Sequence, residues 1–392
     1  MATRRRVLAG LALAPVAARD LWAKTAKAAA GKLLFVGTGT RTGSKGIYAY
    51  LFDTARGELT PLGLAVDADT PSFLCLSPDG KTLFAVSEVE SYKGAKTGSV
   101  TSYIVGAAAG KLTPINTVAS GGTGPCHLTT DHTGRVLVVA NYAGGSAASF
   151  QIGADGRLSE AVSEFHYPSN GPGPGQVKDR QEASHAHRAT VSPDNRFVYI
   201  NDLGLDRIHI YKLDADTAKL TANDPSDWVA GPGSGPRALR FHPSGRWAYC
   251  VTEMTSSVDQ LGWDSSTGSL TLIGETPLLP AGPPADPTVV STGSEIVFDH
   301  EGDFAYAANR GNNFLATLKV DEGSGKLTLL RRSTCGGSVP RHIALDPTDH
   351  WILVANQESN VIAVFRRNER NGELGTAAKS FPIQSPQCVL FV

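Results

Sequence analysis

The sequence predicts an all-β fold, a seven-bladed β-propeller with four-stranded blades, from three observations. A strand–turn–strand unit recurs along the chain, and each unit continues into a third strand and a tight turn that ends in leucine. The two ends of the chain supply complementary strands of one further unit. Repeats of about 50 residues, each with four short strands, are typical of propeller blades.

Six segments carry the first part of the unit, in which Pro, Asp and Gly separate two short apolar runs. This pattern predicts antiparallel hairpins. The segments are TPSFLCLSPDGKTLFAVSE (70–88), GPCHLTTDHTGRVLVVANY (124–142), SHAHRATVSPDNRFVYIND (184–202), GPRALRFHPSGRWAYCVTE (235–253), GSEIVFDHEGDFAYAANR (293–310) and VPRHIALDPTDHWILVANQ (339–357).

The closing turns predict a seventh blade that both chain ends build. Residues 385–392 (SPQCVLFV) match the opening strand of a unit and residues 32–40 (KLLFVGTGT) match its second strand, which would remove open sheet edges by closing the ring. The turns that end in leucine outnumber the six hairpins by one: Leu59, Leu112, Leu158, Leu220, Leu270, Leu327 and Leu374.

Composition fits one large domain with a substantial core. The chain has 392 residues, 41% of them hydrophobic, and a formal net charge of −1, so it lacks the basic excess that suits nucleic acid. No composition shift divides residues 31–392, which we therefore predict to be a single propeller domain. The five cysteines are widely spaced and form no CxxC pair, which supports neither a zinc ribbon nor a disulfide framework.

Residues 1–30 predict an export signal. Arginines at positions 4–6 precede an apolar run over 7–18, and this run is shorter than the roughly 20 residues that cross a bilayer. The segment TRRRVL resembles the twin-arginine motif, which predicts the twin-arginine export machinery as a partner. We expect a periplasmic or secreted protein with no membrane span in its mature chain, or a cytoplasmic one if the leader does not function.

The polar ends of the paired strands should meet on one face of the propeller, around the mouth of its channel. Arginine, histidine and glutamate stand there in strands that are otherwise apolar, which predicts a site for a small anionic or polar molecule. Strand one contributes Ser72, Cys126, His187, Arg237, Ser294 and Arg341; strand two contributes Glu88, Tyr142, Asp202 (or Leu203), Glu253, Arg310 and Gln357. The Gly/Pro-rich segments 166–185 and 277–294 should form walls or lids over this face.

The His185-x-His187 pair leaves two chemical interpretations open. Side chains two apart on a strand share a face and could hold a metal, but the ring offers no third histidine or paired carboxylate at a ligand position. We therefore expect no metal and no cofactor, with His187 as a general base or acid and His185 as a neighbour. Glu253 should face Arg237, either within the site or as a structural ion pair.

Five segments of the chain resemble the seven-bladed propeller lactonase family, which includes bacterial 6-phosphogluconolactonase and the fungal carboxy-cis,cis-muconate lactonizing enzyme. They are residues 36–53, 70–88, 184–214, 235–253 and 339–365. The resemblance covers essentially the whole chain after residue 31. The site proposed for that family is metal-free, with a histidine, two arginines and a glutamate. It carries over by motif to His187 (or His185), Arg237, Glu253 and Arg310. ANRGNN departs from the family because it lacks the histidine that many relatives carry after the glycine.

The resulting hypothesis is a metal-independent hydrolase of a sugar-acid lactone. In it, His187 activates water, Arg237 and Arg310 bind the oxyanion and the substrate's anionic group, and Glu253 orients a neighbour. One alternative is a lactonizing cycloisomerase of the carboxy-muconate type; another is a non-catalytic extracytoplasmic binding module. Substrate contacts are expected from His185, Arg341, Glu88, Tyr142, Asp202 and Gln357.

Overall fold

The computed structural model describes residues 31–106, 110–168, 175–282, 286–376 and 379–392, so the export signal predicted for residues 1–30 lies outside the described residues. The described chain forms seven four-stranded antiparallel sheets, which confirms the predicted seven-bladed β-propeller. A single short 3-10 helix, η1 (Thr40–Thr42), is found among the described residues. In this part of the chain no helix is both long and apolar enough to cross a membrane.

The strands of each blade are given from the innermost outward. Blade one contains β28 (Pro386–Phe391), β1 (Lys32–Thr38), β2 (Gly46–Asp53) and β3 (Glu58–Asp67). Blade two contains β4 (Leu74–Leu76), β5 (Thr82–Ser87), β6 (Ser99–Val105) and β7 (Leu112–Ala119). Blade three contains β8 (Pro125–Thr130), β9 (Val136–Asn141), β10 (Ser146–Ile152) and β11 (Leu158–His166). Blade four contains β12 (Ala186–Val191), β13 (Phe197–Asp202), β14 (Arg207–Asp214) and β15 (Lys219–Val229).

The remaining three blades repeat this order. Blade five contains β16 (Pro236–Phe241), β17 (Trp247–Thr252), β18 (Ser257–Trp263) and β19 (Leu270–Pro277). Blade six contains β20 (Thr292–Phe298), β21 (Phe304–Arg310), β22 (Phe314–Val320) and β23 (Leu327–Thr334). Blade seven contains β24 (Pro340–Leu345), β25 (Trp351–Asn356), β26 (Val361–Arg366) and β27 (Lys379–Pro382).

The ring closes in blade one through strands from both ends of the chain, as predicted. The C-terminal strand β28 pairs antiparallel with β1, with Val36 opposite Val389 and Phe35 opposite Leu390. The inner strands contact one another in the cyclic order β28, β4, β8, β12, β16, β20, β24 and back to β28. Each inner strand therefore contacts the inner strands of the two neighbouring blades.

The core lies between neighbouring blades, where the faces of adjacent sheets pack on each other. All seven turn leucines are buried, and each belongs to one of these inter-blade clusters. The glycines before them allow close contact: Gly57, at φ +64°, would place a Cβ 2.5 Å from the ring of Trp351, and Gly268, at φ +75°, the same distance from Phe197. A side chain at either position would clash with the neighbouring blade.

A β-bulge near the start of the inner strands sets the direction of the ring residues. The pairing register shifts there in six of the seven blades. The extra residue in such a bulge has no ladder partner, so its side chain is free to turn toward the channel. The residues left without a partner are Gln387, Cys126, His187, Arg237, Arg341 and, in blade six, Ser294 with Glu295.

Candidate active site

The four residues proposed as catalytic come from three consecutive blades. His187 stands on the bulge of β12, Arg237 on the bulge of β16, Glu253 directly after β17 and Arg310 at the end of β21. Three of them form one ion-paired group, because Glu253 contacts both arginines. Among the described residues, His187 forms no hydrogen bond or ion pair with Glu253, but it lines the same small void as Arg237 and Arg341.

Glu253 is the centre of the charged group. Its carboxylate is 1% exposed, and its Oε2 lies 2.7 Å from Nη2 of Arg310 and 3.0 Å from Nε of Arg237. Nε of Arg237 has no hydrogen-bond partner among the described residues and Nη2 of Arg310 donates to the carbonyl oxygen of Gly293 at 3.4 Å, so both contacts with Glu253 are ion pairs. Burial raises the pKa of Glu253, but the guanidinium groups of Arg310, Arg237 and Arg180 outweigh it and hold the pKa below its usual range.

Arg180 is a candidate site residue that the sequence did not reveal. It donates to Oε1 of Glu253 through Nη2 and, at 3.3 Å, to the hydroxyl of Tyr142. Arg180 lies in the segment 166–185, which the sequence predicted to be a wall or lid of this face. In the sequence, only the basic residues Lys178 and Arg180 within that segment indicated a positive charge there. Alignment of the repeats could not place Arg180, because the inserted loop has no counterpart in the other repeats.

The two histidines pack on the ring of Tyr142 in different orientations. His185 stacks on it with ring centroids 4.4 Å apart, while its ring nitrogens lie 3.1 Å from the carbonyl oxygen of Tyr142 and 2.9 Å from Oε1 of Glu182. His187 meets the same ring edge-on at 5.6 Å. Both nitrogens of His185 are therefore occupied by protein groups, whereas the imidazole of His187 makes no hydrogen bond to any described residue.

The pKa of His187 is held well below its usual range, first by burial and then by the nearby guanidinium groups of Arg237, Arg341 and Arg310. The pKa of Arg237 is itself lowered to about 9 by burial and by Arg310. Both pKa shifts have the same two causes, burial of the group first and the surrounding positive charge second. His187 is consequently a neutral imidazole at neutral pH, able to accept a proton.

The other predicted contact residues divide into two groups. The first group is connected at the mouth: Nη2 of Arg341 donates to Oε2 of Glu88 at 3.3 Å, and Tyr142 accepts from Arg180. The second group is not: Gln357 directly follows β25, is half-buried and makes no side-chain hydrogen bond to a described residue. Asp202 is fully buried and faces its own blade, where its carboxylate accepts from Ser184 and from the amides of His185, Gly204 and Leu205. The structure therefore does not bring Asp202 to the mouth.

The charge of the mouth is positive. Arg180, Arg237, Arg310 and Arg341 face two carboxylates, Glu253 and Glu88, which leaves an excess of two positive charges. Such a set can bind a carboxylate or phosphate and can stabilise negative charge that develops on an oxygen. Within the described ranges, no group of three or more His, Cys, Asp or Glu residues is placed to hold a metal ion.

Comparison with known proteins agrees with the fold. The family model "Lactonase, 7-bladed beta-propeller" matches residues 33–391. The 6-phosphogluconolactonase of Bacillus subtilis is 31% identical over 358 residues, covering 91% of this chain and 97% of that protein. The protein of the same name from Formosa agariphila is 31% identical over 351 residues, covering 87% and 94%.

A solved structure also resembles this chain over nearly its full length. The structure of the Pseudomonas aeruginosa periplasmic gluconolactonase PpgL superposes with a TM-score of 0.84 over 92% of this chain and 99% of that protein, and the two sequences are 33% identical. Sequence and structure thus agree over nearly the entire propeller, and the chain belongs to the family of seven-bladed β-propeller lactonases.

Proposed function

We propose that the protein hydrolyses a sugar-acid lactone with His187 as the general base and with Arg237 and Arg310 as the contacts of the oxyanion. The observation that carries this proposal is an unbonded, neutral imidazole beside arginines that one buried carboxylate holds in place. Family membership supports the reaction class.

In the first step, the oxygen of a water molecule attacks the lactone carbonyl carbon and His187 accepts the proton of that water. The carbonyl oxygen becomes an oxyanion, which the guanidinium groups of Arg237 and Arg310 stabilise in a sheltered mouth. The tetrahedral intermediate then collapses, the bond from carbon to the ring oxygen breaks, and the imidazolium returns its proton to the leaving alkoxide. The product is the open hydroxy acid, and His187 is neutral again.

Glu253 acts as a positioning residue. It contacts Arg237, Arg310 and Arg180 and is almost completely shielded from solvent, so its role is to align the guanidinium groups. The positive charge that remains supports a reaction carried by protein side chains alone, because the arginines around His187 would repel a bound cation.

The proposed substrate is a non-phosphorylated sugar-acid lactone that the protein meets after export. Two observations support it: the twin-arginine-like leader, and the similarity to a Pseudomonas aeruginosa protein named as a periplasmic gluconolactonase. If the protein stays in the cytoplasm, 6-phosphogluconolactone becomes the better candidate. Cell fractionation of the full-length protein, followed by intact-mass measurement, tests the export of the chain.

The reaction is tested by titrating acid release at constant pH with glucono-1,5-lactone, its 6-phospho derivative and a muconolactone. We expect hydrolysis of a sugar-acid lactone above the spontaneous rate, with the non-phosphorylated substrate preferred. Turnover of the muconolactone alone would instead indicate a lactonizing cycloisomerase, and no turnover of any of them would indicate a binding module.

A further inference from the structure

A second tier of charged and polar side chains lies in the channel below the mouth. It is formed where the residue after a bulge also faces the channel, as in His127, Arg188 and His342. At its centre, the buried carboxylate of Glu295 accepts from Nη1 of Arg188 at 2.8 and 3.0 Å and from Nε of Arg240 at 3.3 Å.

A small void separates this tier from the mouth. Its volume is about 20 Å³, which is room for one water-sized species. Its lining includes His187, Arg237, Arg341 and Gln387 from the bulge positions and His127, Arg188, Glu295 and His342 from the second tier. Any occupant of this void therefore lies within the same charged surroundings as His187.

Besides Nε of Arg237, which lies 3.0 Å from the carboxylate of Glu253, two donors on residues that line the void have no hydrogen-bond partner among the described residues. Nε of Arg188 and Nε2 of His127 are both buried and unpaired, and their residues are 7% and 5% exposed. Nδ1 of His127 accepts from the amide of Ala189 at 3.4 Å, so the hydrogen of the neutral ring is on Nε2. The unpaired Oε1 of Gln387 is part of an amide that can rotate to present its NH₂ group instead.

The two tiers together carry more positive charge than their carboxylates balance. Three glutamates, Glu88, Glu253 and Glu295, face six arginines, which leaves an excess of three positive charges: Arg180, Arg188, Arg237, Arg240, Arg310 and Arg341. Buried charge without a counter-charge is costly, and the uncharged lactone proposed above would offset none of it.

We propose that the void holds a small monovalent inorganic anion of chloride size as a resident counter-ion. The anion accepts hydrogen bonds from Nε of Arg188, Nε2 of His127 and the rotated amide of Gln387. A water molecule would fill the same volume but would leave the charge excess unchanged. The anion is separate from the lactone and lies deeper in the channel than the mouth that would receive it.

The first test uses the full-length protein and chloride as the probe. The melting temperature is measured while sodium methanesulfonate is replaced by sodium chloride at constant ionic strength, and a crystal grown in bromide is measured at the bromine absorption edge. We expect the melting temperature to rise with chloride to a plateau, as for a ligand that binds only the folded state. We also expect an anomalous peak in the void. A flat melting temperature, or a void without bromide, would overturn the proposal.

A substitution that supplies the negative charge internally provides the second test. Gln387→Glu places a carboxylate at the void, so its melting temperature should no longer respond to chloride and its void should hold no bromide. Gln384→Glu, on the exposed connection before β28, is the matched control and should respond like the wild type. If Gln387→Glu keeps the full response, chloride binds elsewhere and the proposal is wrong. If this variant does not fold, the bromide peak in the wild type decides. None of these measurements depends on lactone hydrolysis.

Discussion

Oε2 of Glu253 lies 2.7 Å from Nη2 of Arg310, an ion pair that joins the end of β21 in blade six to the residue that follows β17 in blade five. The same carboxylate contacts Arg237 in its own blade and Arg180 in the segment before blade four. One buried negative charge thus fixes three cations from three parts of the chain. The alignment of the arginines depends on this single residue.

Glu253→Gln should therefore lower both stability and activity. The neutral amide leaves three guanidinium groups without their shared counter-charge, so we expect a loss of about 3–5 kcal/mol of unfolding free energy. Misaligned arginines should lower kcat/KM for a sugar-acid lactone by about 100-fold. Denaturant unfolding and steady-state kinetics measure the two effects. Glu301→Gln, an exposed glutamate on blade six, should change stability by less than about 0.5 kcal/mol.

The stabilisation from Glu253 should also depend on pH in a defined direction. Its pKa in the folded protein lies below the ordinary value of 4.5, so its contribution is complete above that pH and is lost as the pH falls through the lowered pKa. The difference in unfolding free energy between wild type and Glu253→Gln should be constant above pH 4.5 and narrow below it. A difference that grows as the pH falls would contradict the assignment.

His187→Gln should reduce kcat/KM by about 10²- to 10⁴-fold while the fold is retained, because the proposed general base is removed. In the wild type, the depressed pKa keeps the imidazole neutral through pH 7, so the acid limb of kcat/KM should have its midpoint below 6.5. A pH profile and circular dichroism check these expectations, and His132→Gln at an exposed position is the control. A midpoint above 6.5, or full activity in His187→Gln, would rule out this base.

Arg180→Ala should weaken the site without unfolding the blade that carries it. Its side chain is 36% exposed, and Glu253 keeps two other arginines, so the loss of stability should be about 1 kcal/mol. Because Arg180 also donates to Tyr142, we expect kcat/KM to fall about 10-fold through a higher KM. Lys178→Ala, two residues earlier and exposed, should behave like the wild type. Equal kinetics in the two variants would remove Arg180 from the site.

The sequence alone predicted the repeats, the closure by both chain ends and most of the mouth, since aligned turns bring equivalent positions of each blade together. His187, Arg237, Glu253 and Arg310 were all predicted as site residues in this way. Arg180 was missed because the inserted loop that carries it has no equivalent in the other blades.

The tier around Glu295 was missed because a bulge lets two successive residues face the channel, whereas strict alternation along a strand would place only one of them there. Asp202 was placed at the mouth, but its turn recruits the carboxylate as a backbone acceptor.

Gly204, two residues after Asp202, should be intolerant of any side chain. A Cβ there would lie 1.8 Å from the carbonyl oxygen of Ala183 and 3.0 Å from the amide nitrogen of His185. Gly204→Ala must push away the segment that leads into β12, so the free energy of unfolding should fall by about 1–3 kcal/mol. We also expect a lower kcat/KM, because His185 and His187 lie directly after this segment.

Gly231→Ala is the matched control, since no atom lies within 4 Å of its Cβ position, and it should be at least as stable as the wild type. Differential scanning fluorimetry and lactone hydrolysis separate the two variants. If Gly204→Ala matched Gly231→Ala in both measurements, the close approach of residues 183–185 to this turn would not be what positions the histidine pair.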